Sequence, residues 1–397
     1  MKVASSKPIT GYDFIILSTQ DWNSLPTRKH RFARWWAESG NRILYVEQQM
    51  HWAGWLVDLK CQLTRPLQWL QGPRLVDTNL WIFTLPIVLP FFQMSRLINW
   101  INNLFLLPIL RLQLRRLGFE NVILWTYTPH SAEFIGRLNE TADIYEIVDD
   151  FVSARGLISA KAISRMERKV IESVDLVIVT APALLESKKE GAKNIELVPN
   201  GVETEHFAHA ADPNTPVAES FAQLKHPVIG LLGTMNYWID TELIARIAHA
   251  HPNWTIAHVG PRDLLANTAP LENLPNLVST GRIPYQELPY YVKAFDVCVN
   301  PYVMDGIAEH CSPLKLYEYI ATGKPIVSVD MPEAHVFEEL IHIAHSSDEF
   351  IELVERAVHE NDGLTDVRLA EAKNHSWRER FERVHCSLEQ VLDKKFL

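Results

Sequence analysis

The stretch "SPLKLYEYIATGKPIVS", residues 312–328, carries a complete helix-to-strand unit. Ser312 suits a helix cap through its hydroxyl, and Pro313 suits the first helical position. Leu314, Leu316, Tyr317 and Ile320 then recur at helical spacing, and Gly323 ends the run. After Pro325, residues 326–329 (IVSV) read as a buried strand. Strands this short and apolar, alternating with helices, indicate a parallel sheet covered on both faces. Working outward, the same alternation predicts strands at 14–17, 43–46, 80–85, 122–125, 144–148, 176–180 and 195–199. It resumes at 228–232, 255–259, 277–279, 297–300 and 325–329, after the polar segment 208–226. The expected class is α/β, with two doubly wound, Rossmann-like domains facing across a cleft. In such sheets ligands gather at the carboxyl ends of strands, so the loops after strands should hold the chemistry.

Length and composition agree with that division. A chain of 397 residues with 47% hydrophobic content has material for two cores. A net charge of −10 argues against a nucleic-acid partner. Cys61, Cys298, Cys311 and Cys386 are scattered without a CxxC pair, which predicts a reducing compartment and no structural zinc. The first residues, "MKVASSKPITGYDFIILS", lack the order of a secretory signal, so a cytoplasmic location is expected. One window is unusual. Residues 78–119 contain no acid, yet hold Arg96, Arg111, Arg115 and Arg116 among aromatic and aliphatic side chains. Pro86, Pro90, Pro108 and three asparagines interrupt it. It reads either as a pair of core helices or as a peripheral contact with the inner face of the cell membrane.

Four loops concentrate polar residues. "STQDWNSLPTRKHRF" follows the first strand and groups Asp21, Trp22 and Asn23. "IVDDFVSARG" places Asp149 and Asp150 after another strand, and "VPNGVETEHF" lies at the domain junction. The fourth is the helix start with Lys315 and Glu318. A helix N-terminus offers unpaired N–H groups and partial positive charge, and Lys315 adds a full one, which suits a diphosphate. Glu318, one turn on, suits the two hydroxyls of a ribose. The competing reading is a solvated Lys and Glu on an amphipathic helix.

"VPNGVETEHF" with "SPLKLYEYIATGKPIV" resembles the retaining glycosyltransferases of the GT-B fold, family 4. The likeness is to the branch with a PLK-x-x-EY helix that serves teichuronic acid and exopolysaccharide synthesis. "DWNSLPTRKHRFARWWAESGNRILYVE", "YEIVDDF", "IGLLGTMNYWIDTELIARIAHAHPNWTIAHVGP", "NLVSTGRIPYQELPYYVKAFDVCVNPY" and "HSWRERFERV" extend the likeness, in order, over most of the chain. The resemblance implies a metal-independent hexosyltransferase that moves a sugar, with retention, from a nucleotide-diphosphate sugar of UDP or GDP type. No other cofactor is expected. The acceptor would be a glycan or a lipid-linked molecule in bacterial surface polysaccharide synthesis.

The resemblance also implies roles. Gly233, Thr234 and Asn236 would approach the diphosphate, and Gly281, Arg282 and Ile283 the base. Ser312, Pro313, Leu314 and Lys315 would hold phosphates, with Tyr317 and Glu318 at the nucleoside. Asp149 and Asp150 would face the transferred sugar, and Asp21, Trp22, Asn23 and His130 the acceptor. Four departures stand out. The glycine-rich loop common after the first strand is replaced by "TQDWNS". The glutamate expected eight residues before Glu318 is His310, with Glu309 beside it. No basic residue follows the 228–232 strand before Arg246. The first-domain histidine common in the family appears as the Asp149–Asp150 pair. His30, His130 and His258 have no second ligand at metal spacing, so no metal is expected. Two other readings fit the pattern: a sugar-nucleotide epimerase of the same fold, and a nucleotide-sugar-binding subunit without turnover. The expected domains are 1–205 and 206–377, with a terminal helix over 378–397 that returns to the first.

Overall fold

The computed structural model describes residues 8–24, 26–50, 59–153, 158–304, 308–360 and 362–396, so part of the expected "IVDDFVSARG" loop and the side chain of Cys61 lie outside it. The chain divides into two compact units, Met1–Pro199 with Phe381–Leu397, and Asn200–Arg380. The second unit begins at Asn200. Asn200 is held by the second unit, where its backbone N–H and its side-chain amide donate to Ser312 Oγ (3.2 Å) and Ser312 O (2.7 Å).

The first unit contains strands β1 (Asp13–Leu17), β2 (Arg42–Val46), β3 (Arg74–Asp77), β4 (Leu80–Phe83), β5 (Val122–Thr126), β6 (Glu140–Ile147), β7 (Leu176–Val179) and β8 (Ile195–Leu197). Helices α1 (Arg28–Glu38), α2 (Leu59–Gln71), α3 (Arg96–Leu117), α4 (Ala160–Ser173) and α5 (Pro182–Lys188) lie between them. The sheet order is β3-β4-β2-β1-β5-β6-β7-β8, parallel except for β3. Strand β1 lies between β2 and β5, with Leu17 opposite both Val46 and Thr126. That is the switch point of a doubly wound sheet. Its sequence, DFIIL, is buried throughout, as a central parallel strand must be.

The second unit starts with α6 (Thr204–Ala208), β9 (Val228–Leu232), α7 (Thr241–Ala250), β10 (Thr255–Val259), β11 (Leu277–Ser279) and α8 (Leu288–Val292). Then come β12 (Val297–Asn300), α9 (Leu314–Ile320), β13 (Ile326–Val329), β14 (His342–Ala344), α10 (Ser347–His359), α11 (Thr365–Asn374) and the start of α12 (Trp377–Phe396). The order β11-β10-β9-β12-β13-β14 is wholly parallel, with its switch point between β9 and β12. Side chains of β9 alternate between two cores. Val228 and Leu232 join Phe295, Leu316 and Ile320, whereas Ile229 and Leu231 join Leu243, Ile247 and Phe350. Gly230 lies on the first face, where a Cβ would come within 2.0 Å of the Phe295 ring. Gly230→Ala is therefore expected to destabilise the second unit by about 1–3 kcal/mol, read from denaturant unfolding; an unchanged midpoint would show that Phe295 moves aside freely.

The predicted strands appear within a residue or two of their expected bounds, except that β6 begins at Glu140, four residues before the expected start at 144. Two edge strands were not predicted: β3 is short and mostly exposed, and β14 has three residues. The 78–119 window holds a single long helix, α3, rather than a pair. Pro108 is accommodated on its exposed side, where the carbonyl that Pro108 cannot serve meets water.

Candidate functional site

In the second unit three turns are laced together at the carboxyl ends of β9, β10 and β11. Met235 N–H donates to Pro261 O and Asp263 N–H to Met235 O, both at 2.9 Å, and Gly260 bridges Gly281. Gly233 adopts φ +103, in the region that favours glycine. Gly260 is needed for close approach, since a Cβ there would lie 2.1 Å from Gly233 O. His258 fixes this turn. Its Nε2 donates to Gly233 O (3.0 Å), so its Nδ1 accepts from Ser279 Oγ (2.9 Å). Burial first, then the charges of Arg262 and Lys315, lower its pKa to about 4, against a raising effect of the Gly233 bond. His258 is thus a neutral strut. Gly233, exposed Thr234, half-buried Asn236, Gly281, exposed Arg282 and half-buried Ile283 are all brought to this end of the sheet.

Helix α9 comes to the same end. The Tyr319 hydroxyl accepts the Leu232 N–H at the tip of β9 (2.8 Å) and reaches Val299 O on β12 (3.3 Å), tying the helix to the switch point. The cap differs from expectation. Pro313 is itself the cap residue, and no side chain caps the helix. Ser312 is turned away: its hydroxyl donates to Glu333 (2.8 Å) and accepts from Asn200. Tyr317 also departs from its expected place beside a nucleoside. It is buried in the core, and its hydroxyl donates to Glu333, whose own pKa burial raises. Ser312 and Tyr317 therefore brace the helix start from behind. The Leu316 N–H donates to Pro313 O (3.2 Å), which leaves the N–H groups of Leu314 and Lys315 to water or ligand.

Lys315 is buried at this open start. Its ammonium lies 4.8 Å from the centre of the Tyr302 ring and has no ion-pair partner among the described residues. Burial lowers its pKa to about 8, with smaller raising effects from Cys311 and Glu318. A buried cation without a carboxylate is costly unless a ligand supplies the negative charge. Leu314 is exposed, Glu318 half-buried one turn on, Glu309 exposed and His310 half-buried. Sequence reasoning missed Arg262. It follows β10, its backbone pairs with Met235, and its exposed guanidinium is unpaired among the described residues. It lies in the loop after β10, and nothing in one sequence shows that this loop runs beside the one after β9.

In the first unit the Asp149–Asp150 pair is split. Asp150 accepts from Ser153 Oγ (2.6 Å) and Lys188 Nζ (3.0 Å). Lys188 also binds Glu167 (2.8 Å), itself bonded to the Tyr145 hydroxyl. Burial would raise the Asp150 pKa, but these donors together leave it lowered. Asp149 remains open to solvent, yet crowding by protein raises its pKa, countered in part by Lys29. Lys29 is buried on α1, donates to Thr19 Oγ1 (2.6 Å) and lies over the Tyr127 ring (5.1 Å). Burial lowers its pKa to about 8. Beside it Arg28 and Glu146 form a fully buried ion pair at 2.5 Å, and Trp125 Nε1 donates to Glu146 (2.9 Å). Helical spacing held a clue: Arg28, Phe32 and Trp36 share one face.

The expected acceptor-side cluster is only partly assembled. Asp21 accepts from Arg65, Trp22 packs on His30 (5.3 Å) and Tyr45 (5.0 Å), and Asn23 is exposed. His130 does not reach it. It is buried against Phe92 (5.0 Å), and burial lowers its pKa to about 4. His30 is likewise structural, its Nδ1 accepting from Thr27 N–H (3.2 Å) in a capping box. Among the described residues no group of three or more His, Cys, Asp or Glu side chains is arranged to hold a metal.

Residues 226–360 match the family of glycosyl transferases group 1. The match lies wholly within the second unit, over the turns and the helix just described. A Bacillus subtilis (strain 168) protein assigned as the teichuronic acid biosynthesis glycosyltransferase TuaH is 27% identical over 243 residues, which are 56% of this chain. The matched stretch spans 60% of that relative's length. Among solved structures, a sucrose-phosphate synthase from Thermosynechococcus elongatus aligns at TM-score 0.73 and 14% identity, covering 97% of this chain and 100% of that one. An E. coli trehalose-6-phosphate structure bound with UDP-2-fluoro glucose aligns at 0.66 and 14% identity, covering 95% and 99%. These likenesses show the fold, two parallel-sheet Rossmann-like domains of the GT-B class. The family match and the relative together support a glycosyltransferase.

Proposed function

We propose that the protein is a retaining, metal-independent glycosyltransferase that uses a nucleotide-diphosphate sugar. The reading is carried by Lys315, a buried ammonium with no ion-pair partner among the described residues, at an uncapped helix start beside the Gly233 turn. That constellation asks for an anion. The diphosphate fits, with Arg262 as a second cation in place of the basic residue absent after β9. Glu318 takes the ribose hydroxyls. The resemblance and the group 1 match favour this over a solvated Lys and Glu. As the bond from the anomeric carbon to the phosphate oxygen breaks, its electron pair goes to the diphosphate, where Lys315 and the helix start stabilise it. The acceptor hydroxyl attacks from the same face and passes its proton to a donor phosphate oxygen. In the first unit, Asp149 is the carboxylate offered to the positively charged sugar. The relative's assignment to teichuronic acid biosynthesis favours a role in surface polysaccharide synthesis, on the cytoplasmic side, with a glycan or lipid-linked acceptor.

Incubation with a panel of UDP- and GDP-sugars tests the reading. Slow release of nucleoside diphosphate supports transfer chemistry. An epimerised donor points to an epimerase, and binding without turnover to a non-catalytic subunit. Glu318→Gln is expected to weaken donor use at least about tenfold, roughly 1.4 kcal/mol. Unchanged kinetics would return Glu318 to the helix surface as a solvated side chain.

A further inference from the structure

Helix α3 buries three asparagines together with Leu106, Leu107, Leu110 and Leu114, yet leaves a second set of apolar residues outward. Asn99, Asn102 and Asn103 are buried. Asn99 and Asn103 donate to His130 O (3.0 and 2.6 Å), and Asn102 brackets the Leu89 backbone with two bonds of 3.0 Å. Turning the helix over would strand three buried amides, so its rotation is fixed. On the outer side Leu97 is 65% exposed, Leu104 54% and Phe105 53%, with Trp100, Ile101 and Leu112 also exposed. Their spacing makes one continuous stripe. Single exposed hydrophobics are ordinary, but a stripe along the length of a helix marks a partner.

The charges around it indicate which partner. The flanking window has four arginines and no acid. Helix α4 adds more: Arg96 lines a concavity of about 510 Å³ with Lys161, Ser164, Arg165, Arg168, Lys169 and Glu172, five basic side chains against one carboxylate. Lys169 is engaged by Glu133 (2.7 Å). Arg96, Lys161, Arg165 and Arg168 have no ion-pair partner among the described residues. The start of α4 is fastened to the approach to α3 by the Ser159 N–H bond to Gln93 O (3.2 Å). Apolar stripe and cationic concavity thus belong to neighbouring helices.

We propose that this face of the first unit docks on a bilayer containing anionic lipid. The α3 stripe enters the interfacial layer, and the concavity takes lipid phosphates. The 22 residues of α3 are long enough to cross a bilayer. Its inner face is packed into the core, however, so it lies on the membrane rather than through it. The use of this contact, to reach lipid-linked acceptors, rests on the transferase reading; the contact itself does not.

Co-sedimentation with phosphatidylglycerol–phosphatidylcholine vesicles tests it. The protein is expected to sediment at low salt and to retain part of its binding at high salt. Leu104→Glu with Phe105→Glu, and separately Arg96→Gln with Arg165→Gln and Arg168→Gln, should each reduce binding on the order of tenfold or more. Thermal unfolding confirms that each variant folds, and UDP affinity in the same samples should not change. A wild-type protein left in the supernatant at low salt overturns the proposal. So does a stable dimer that vesicles do not dissociate, since a second copy would then cover the stripe. Failure of the wild type to bind either UDP or GDP, with intact sedimentation, would instead count against the transferase reading.

Discussion

Lys315→Ala is expected to lower turnover about 100- to 1000-fold while leaving nucleoside affinity nearly intact. The magnitude is that of removing one preorganised charge from a site where negative charge develops. The asymmetry arises because the diphosphate gains charge only as it leaves. A pH test separates this from a structural effect. Burial holds the Lys315 pKa near 8, below its ordinary 10.5. The ammonium is therefore lost as pH rises through about 8, and UDP binding to the free protein should weaken above that point. Between 8 and 10.5 the folded protein binds fewer protons at this site than the unfolded chain does, so the site's contribution to stability rises with pH there. A bound diphosphate favours the charged form and opposes that rise. Lys315→Arg should remove the alkaline loss of binding. Normal turnover of Lys315→Ala with saturating donor would exclude the leaving-group role.

What the sequence discloses is whatever a local pattern encodes. Apolar runs such as DFIIL and VIGLL revealed the central strands because burial on both faces forbids polar residues there. Helix α9 was visible from its spacing, and Lys315 from its place at the helix start. Contacts between loops distant in sequence were not visible. Arg262 lies beside the Gly233 turn only because β9 and β10 are adjacent strands, and Ser312 abandons its capping role only because Glu333 and Asn200 converge on it. The α3 window was ambiguous for a similar reason. Which face of the helix turns inward depends on asparagine bonds to His130 and Leu89, neither part of the helix.

Asp149 and Asp150 are adjacent in sequence but should behave very differently on substitution. Asp150 is committed to Ser153 and to Lys188, which also serves Glu167. Asp150→Asn breaks a charged network, so its main effect should be on the loop's stability, on the order of 1–3 kcal/mol. Asp149 has Lys29 as its nearby cation and is open to solvent. Asp149→Asn should lower turnover about 100-fold with little change in unfolding, as expected when a carboxylate opposing developing positive charge is neutralised. The pH profile carries the signature. The Asp149 pKa is raised, so the active carboxylate is lost as pH falls through a value above the ordinary range for aspartate. The acid limb of turnover should accordingly lie higher than for an unperturbed carboxylate. Lys29→Met, which removes the cation that lowers this pKa, should shift the limb higher still. An Asp149→Asn enzyme with normal turnover and the same acid limb would show that the sugar is stabilised elsewhere.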